Sequence, residues 1–99
     1  MLFSNSLAIS HEMIRKVVKP GDTVADATMG NGNDTLLLAE LAGEKGKVYS
    51  FDIQDTALIN TGKKLREKGI PDIVEMIKDG HQNIDAYVPG GLRAVMFNL

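Results

Sequence analysis

The chain has 99 residues, 43% of them hydrophobic, and a formal net charge of -2 from 11 basic and 13 acidic side chains. That length allows one domain with a modest core. The charge balance excludes a polycation that coats nucleic acid by bulk attraction, the lack of cysteine excludes a disulfide framework or thiolate metal site, and no apolar run approaches a membrane span.

Residues 6–18 read as a helix with Leu7, Met13, Ile14, Val17 and Val18 on its apolar face, ended by Pro20-Gly21. Residues 23–27 read as a strand. Residues 33–42 read as a helix opened by Asn33 or Asp34, with Leu37 and Leu41 one turn apart. A glycine-bearing turn leads to a strand at 48–52. Asp55 is the expected cap of the next helix, which stops at Gly69, with Lys63, Lys64, Arg66 and Lys68 suited to its C-terminal end. A strand at 73–77, a short helix at 81–87, a turn at Pro89-Gly90-Gly91 and a strand at 93–98 complete the series. Strict alternation of helix and strand predicts an α/β fold: a parallel sheet with helices on both faces.

A parallel strand normally runs on into a crossover. The closing Ala94–Leu99 strand therefore suggests that residues 1–99 are the N-terminal part of a single, longer cofactor-binding domain. It also predicts an open hydrophobic sheet edge, and with it a homodimer or aggregation. Met1 to Ser10 lacks the basic start and apolar stretch of a secretory signal, so a cytoplasmic location is the default expectation.

The chemistry concentrates in Val24–Asp34 and Val48–Asp52. Strand, glycine turn and helix are followed by a second strand ending in an acid, and Gly32 to Asp52 is a step of 20 residues. Gly30 and Gly32 let backbone approach a ligand, and the helix start adds free N–H groups. An acid at Asp52 suits ribose hydroxyls. Two cofactor classes compete. A dinucleotide fingerprint needs a third glycine where Thr35 stands. The adenosylmethionine pattern, an acid followed by alternate glycines, reads here as Asp26-x-Thr28-x-Gly30-x-Gly32, with threonine for the first glycine. Asp26 is placed to hold the turn and the cofactor's amino group.

These residues resemble class I S-adenosylmethionine-dependent methyltransferases of Rossmann-like fold. The nearer resemblance is to the bacterial "putative rRNA methylase" family, carried by Asp26–Thr35, by Phe51-Asp52-Ile53-Gln54 and by Phe97-Asn98-Leu99. That family is similar to tRNA methyltransferases that act on the amine of 5-aminomethyl-2-thiouridine at the wobble position. The resemblance implies an enzyme that takes S-adenosylmethionine and RNA, with tRNA the expected partner. It implies that Asn31 and Asn33, beside the backbone of Gly30 and Gly32, line the cofactor's amino-acid end. Asp52 would take the ribose, and Ile53 and Gln54 would lie beside the adenine. Asp79-Gly80-His81 would meet the adenine edge, and Phe97-Asn98-Leu99 would start the segment facing the transferred methyl.

Other readings stay open. The chain is alternatively part of an rRNA methyltransferase, a cofactor-binding half-domain inactive by itself, or a nucleotide-dependent oxidoreductase, against which the third-glycine failure argues. His81 contacts the cofactor or caps a short helix. His11 reaches the cofactor or RNA, or is an exposed helix residue. The lysine-rich helix end touches phosphates or is solvated. Tyr49, Phe51 and the methionines are expected in the core, no metal constellation stands out, and no general base can be named.

Overall fold

The computed structural model describes residues 7–88 and 92–97. Five parallel strands form one sheet: β1 (Leu7–Ile9), β2 (Thr23–Asp26), β3 (Lys47–Asp52), β4 (Val74–Lys78) and β5 (Ala94–Met96), in the order β1-β5-β2-β3-β4. Three α-helices join them: α1 (Ile14–Val17), α2 (Asn33–Ala42) and α3 (Asp55–Glu67). A 3-10 turn, His11–Met13, precedes α1, and a 3-10 helix, His81–Ala86, links β4 to β5.

Alternation along the strands sends side chains to two cores. Val24 and Val48 point to the face covered by α1 and α2, where they pack with Ile14, Leu38 and Met96. Ala25, Tyr49 and Phe51 point the other way, against Ile84 of the 3-10 helix, Val88 and Leu92. α3 packs beside α2 and against β4. No helix among the described residues is long and apolar enough to cross a membrane.

Helix ends follow from local chemistry. α2 begins at Asn33, as expected, but its cap is Gly32, and the Asn33 N–H is satisfied by the Asn31 side-chain oxygen at 3.2 Å. α3 is capped one residue before the expected acid, at Gln54. Asp55 is instead its first residue, where a negative charge suits the helix dipole, and its carboxylate lies 3.0 Å from Lys78 Nζ. At the far end Ile70 N–H bonds the Leu65 carbonyl and Gly69 N–H that of Arg66, the paired bonds of a Schellman stop.

Two expectations are corrected. The predicted helix over 6–18 is a strand, a 3-10 turn and one turn of α-helix; Met13 is exposed rather than part of an apolar face. The apolar Leu7-Ala8-Ile9 segment pairs with β5, and a long-range ladder overrides a weak helical period. For the same reason β5 is not an open edge: β1 flanks it on one side and β2 on the other. The edge argument for a homodimer goes with it. Among the described residues the sheet's edges are β1 and β4, and β4 exposes Glu75 and Lys78, charges that discourage edge pairing. The expected turn at residues 89–91, and Asn98, lie outside the described residues.

Candidate functional site

From β2 the chain steps outward through β3 to β4, then returns to place β5 on the other side of β2. Open α/β sheets bind ligands outside the carboxyl ends of the strands at such a reversal. A cleft of about 500 Å³ lies at that end. Gly30, Asp52, Gln54, Asp79, Gly80 and His81 line it, six of the residues expected from the sequence. Ala27, Thr28, Phe51, Ile53 and Gln82 complete the wall.

The acid ending β3 is held by backbone. Asp52 Oδ2 accepts from the Gly30 N–H and Oδ1 from the Gln54 N–H, each at 3.0 Å. Both bonds fix the carboxylate plane and leave lone pairs for vicinal hydroxyls. Ile53, next in the chain, is 68% exposed, an apolar surface left open at the cleft wall.

The two glycines of the turn do different work. Gly30 has φ +56, and a Cβ there would meet nothing within 4 Å, so its face is open toward the cleft. Gly32 has φ +88, and a Cβ there would lie 2.6 Å from Thr61 Oγ1 and 3.0 Å from Thr61 Cα. Its lack of a side chain lets the turn press on α3. Thr61 Oγ1 is buried with no hydrogen-bond partner among the described residues.

Asp26 lies beneath the turn, fully buried. Its carboxylate accepts from Thr28 N–H at 3.2 Å and from Thr35 Oγ1 at 2.7 Å, and Thr35 Oγ1 lies 2.6 Å from Ser50 Oγ. Burial pushes its pKa up to about 7 against these two hydrogen bonds, helped by the charges of Asp34 and Asp52. The turn-holding role expected of Asp26 is visible. Contact with a ligand's amino group is not, because its carboxylate is enclosed and does not line the cleft. Thr35, which spoils a dinucleotide fingerprint, is the residue that bonds this acid.

Asn31 and Asn33 are exposed and, like Gly32, are not among the residues that line the cleft, and Lys64 Nζ of α3 donates to Asn33 Oδ1 at 2.8 Å. Lys64, read from sequence as part of a solvated helix end, is thus tied to the start of α2. Asp79 anchors the start of the 3-10 helix: it accepts from Tyr87 Oη at 2.6 Å, Asn83 Nδ2 at 2.9 Å and Gly80 N–H at 2.7 Å. Those donors, Tyr87 foremost, hold its pKa below the usual range, and the same bond raises that of Tyr87. The His81 ring meets Phe97 edge-on at 5.7 Å. His11 is not at the cleft wall; its Nδ1 lies 2.6 Å from Asp34 Oδ1. Tyr87, Thr35, Ser50 and Thr61 escaped sequence reasoning because hydroxyls carry no spacing signal. Only the tertiary fold brings Tyr87 to Asp79, Thr35 to Asp26 and Ser50, and Thr61 against Gly32.

A family model described as "Putative rRNA methylase" matches residues 48–99. Over 104 aligned residues the chain is 36% identical to the Arabidopsis thaliana protein named tRNA (mnm(5)s(2)U34)-methyltransferase, chloroplastic, covering 92% of this chain and 37% of that one. Among solved structures, a Clostridium thermocellum protein described as a putative rRNA-methylase is 58% identical with a TM-score of 0.85, covering 90% of this chain and 48% of that one. A Streptococcus mutans protein described as a putative methyltransferase, solved in complex with SAH, is 46% identical with a TM-score of 0.79, again covering 90% and 48%. The chain thus spans about half or less of the length of these relatives. The match over 48–99 takes in β3 from Val48 to its closing acid, the whole of α3, and strands β4 and β5, and by it this chain belongs to the "Putative rRNA methylase" family.

Proposed function

We propose that this chain is the cofactor-binding portion of an S-adenosylmethionine-dependent methyltransferase that acts on RNA, and that its acceptor is the aminomethyl nitrogen of a tRNA wobble uridine. The observation that carries the reading is the Asp52 carboxylate, pinned by the Gly30 and Gln54 N–H groups at the mouth of the cleft beside exposed Ile53. A nucleoside needs that pairing: a fixed acceptor for two ribose hydroxyls and an apolar surface for a base. The open space at Gly30 suits close approach of the cofactor's chain.

In this reading Asp52 orients the ribose, Ile53 and Gln54 flank the adenine, and Asp79-Gly80-His81 close its edge. Asn31 and Asn33 face the amino-acid end, with the Asn33 amide turned by Lys64 so that its N–H groups are the free donors. Asn98 is assigned to the acceptor side on the family resemblance alone. Asp26 holds the turn from below. When bound, the cofactor supplies a methyl group already activated on a sulfonium. The protein's task is alignment of donor and acceptor, which carries much of the acceleration in such transfers.

The tRNA acceptor is supported by the name of the Arabidopsis relative and the rRNA alternative by the description of the family. Calorimetric titration with S-adenosylhomocysteine, and with NAD as control, tests the cofactor. Binding of the first alone is expected; binding of NAD alone overturns the reading in favour of an oxidoreductase. Methyl transfer from labelled cofactor to undermodified tRNA, but not to rRNA, tests the acceptor.

A further inference from the structure

β1 pairs Ile9 with Met96 of β5, and the Phe97 N–H donates to the Ile9 carbonyl at 3.0 Å. The carboxyl end of β1 therefore sits beside that of β5, at the same end of the sheet as the cleft. Two residues on, His11 opens the 3-10 turn. Its partner Asp34 is in the first turn of α2, just after the glycine turn. The pair thus joins the outer side of β5 to the start of α2, across the strand ends where the sheet reverses its order.

The pairing fixes the ring. An ionised carboxylate only accepts, so Nδ1 is the donor in this pair, and a ring that carries a single proton presents the lone pair of Nε2. Asp34 is 18% exposed and His11 65%, so the acid is shielded while the imidazole is open. Among the described residues Asp34 is the group within ion-pair distance of the ring. Glu12 in the same turn and Arg15 on α1 are the nearest charges along the chain, and the β5 side offers the apolar Phe97.

We propose that His11 is the proton acceptor for the amine that takes the methyl group, with Asp34 its positioning residue. This rests on the amine-methylating reading above. An aliphatic amine reaches the site as an ammonium ion, which has no lone pair to attack with. His11 Nε2 takes one ammonium proton, and the resulting imidazolium sits against Asp34. The neutral nitrogen then forms its N–C bond as the donor S–C bond breaks, the electron pair staying on sulfur. The products are a methylated ammonium, a neutral thioether and the proton that His11 returns to water.

The test uses the full-length protein and its His11→Gln and Asp34→Asn variants. With its imidazole open to water the pair adds little to stability, so both are expected to fold, checked by thermal melts. Long-range 1H–15N correlation spectra read the tautomer without any turnover: Nδ1–H is expected in the parent and a mixture in Asp34→Asn. His11→Gln is expected to bind S-adenosylhomocysteine within twofold of the parent but to lose about 100-fold in kcat. Raised pH is expected to relieve that loss, because more amine then arrives neutral, and added imidazole is expected to rescue a His11→Gly variant. A parent ring with the proton on Nε2 overturns the proposal. So does a His11→Gln variant within twofold of a parent that methylates tRNA. A parent that binds the cofactor but does not methylate an RNA amine overturns the amine-methylating reading instead.

Discussion

At the scale of single residues, the carboxylate of Asp52 and the bare Cα of Gly30 make the sharpest claims. Asp52 already accepts two backbone N–H groups, so its position does not depend on a ligand. Asp52→Ala is expected to weaken S-adenosylhomocysteine binding by about 1–3 kcal/mol in calorimetric titration, the cost of losing a charged acceptor. Unchanged affinity would mean that the ribose lies elsewhere. Gly30→Ala has room in the free protein, so its structural cost is the left-handed backbone alone, about 1–2 kcal/mol in a urea melt. Its larger effect is expected on affinity, because the added methyl stands where the ligand would approach. Asp52, its strand and its distance from the glycine turn were legible in the sequence. The bond that ties it to Gly30 was not, since those residues are 22 positions apart and meet only when β2 and β3 pair.

At the scale of elements, the contact between the glycine turn and α3 decides more than helix propensity does. Gly32→Ala pushes a methyl against Thr61 Cα as well as Oγ1, and the Cα belongs to helix backbone that cannot rotate away. We expect a loss of at least about 2 kcal/mol in urea unfolding, the range of overpacked cores combined with a strained φ. Adding Thr61→Ala is expected to restore only part of it, because the 3.0 Å approach to Cα remains. Full restoration would show that the hydroxyl alone sets the packing. The glycine itself was visible in the sequence and was read as room for a ligand. Its partner was invisible, because α2 and α3 carry no pattern that says which residues touch. The N-terminal segment shows the same limit. Its Ile14 and Val18 are buried as a helix face predicts, yet Leu7–Ile9 left the helix for a strand because β5 offered a ladder.

At the scale of the whole molecule, one buried acid makes stability depend on pH. Asp26 titrates near 7 in the folded chain and near 3.8 unfolded, so between those values the folded state holds the extra proton. Its contribution is full below about pH 4 and is lost as pH rises through about 7. Asp79 works with the opposite sign: its lowered pKa favours the fold above the ordinary carboxylate range and is lost in acid. The windows are separate, so a urea midpoint measured at pH 5 and pH 8 reads Asp26. The parent is expected to lose on the order of 2 kcal/mol across that interval. Asp26→Asn, which keeps an oxygen for Thr28 and a donor for Thr35, is expected to flatten the profile. An equal slope in parent and variant would mean that the acid stays charged in its network.

The sequence by itself determined the alternation of elements, the glycine turn and the acid twenty residues beyond it, because periodicity, turn chemistry and spacing act over short stretches of chain. The tertiary structure alone decided the strand order, and with it the side of the sheet reversal on which β5 falls. It also decided that Asp26 is sealed beneath the turn while Asp52 is open above it. Two aspartates at the ends of neighbouring strands look alike in sequence. Thr35 and Ser50 close over one, while the other stays partly exposed at the cleft wall, because burial is a property of what packs around a residue and not of the residue.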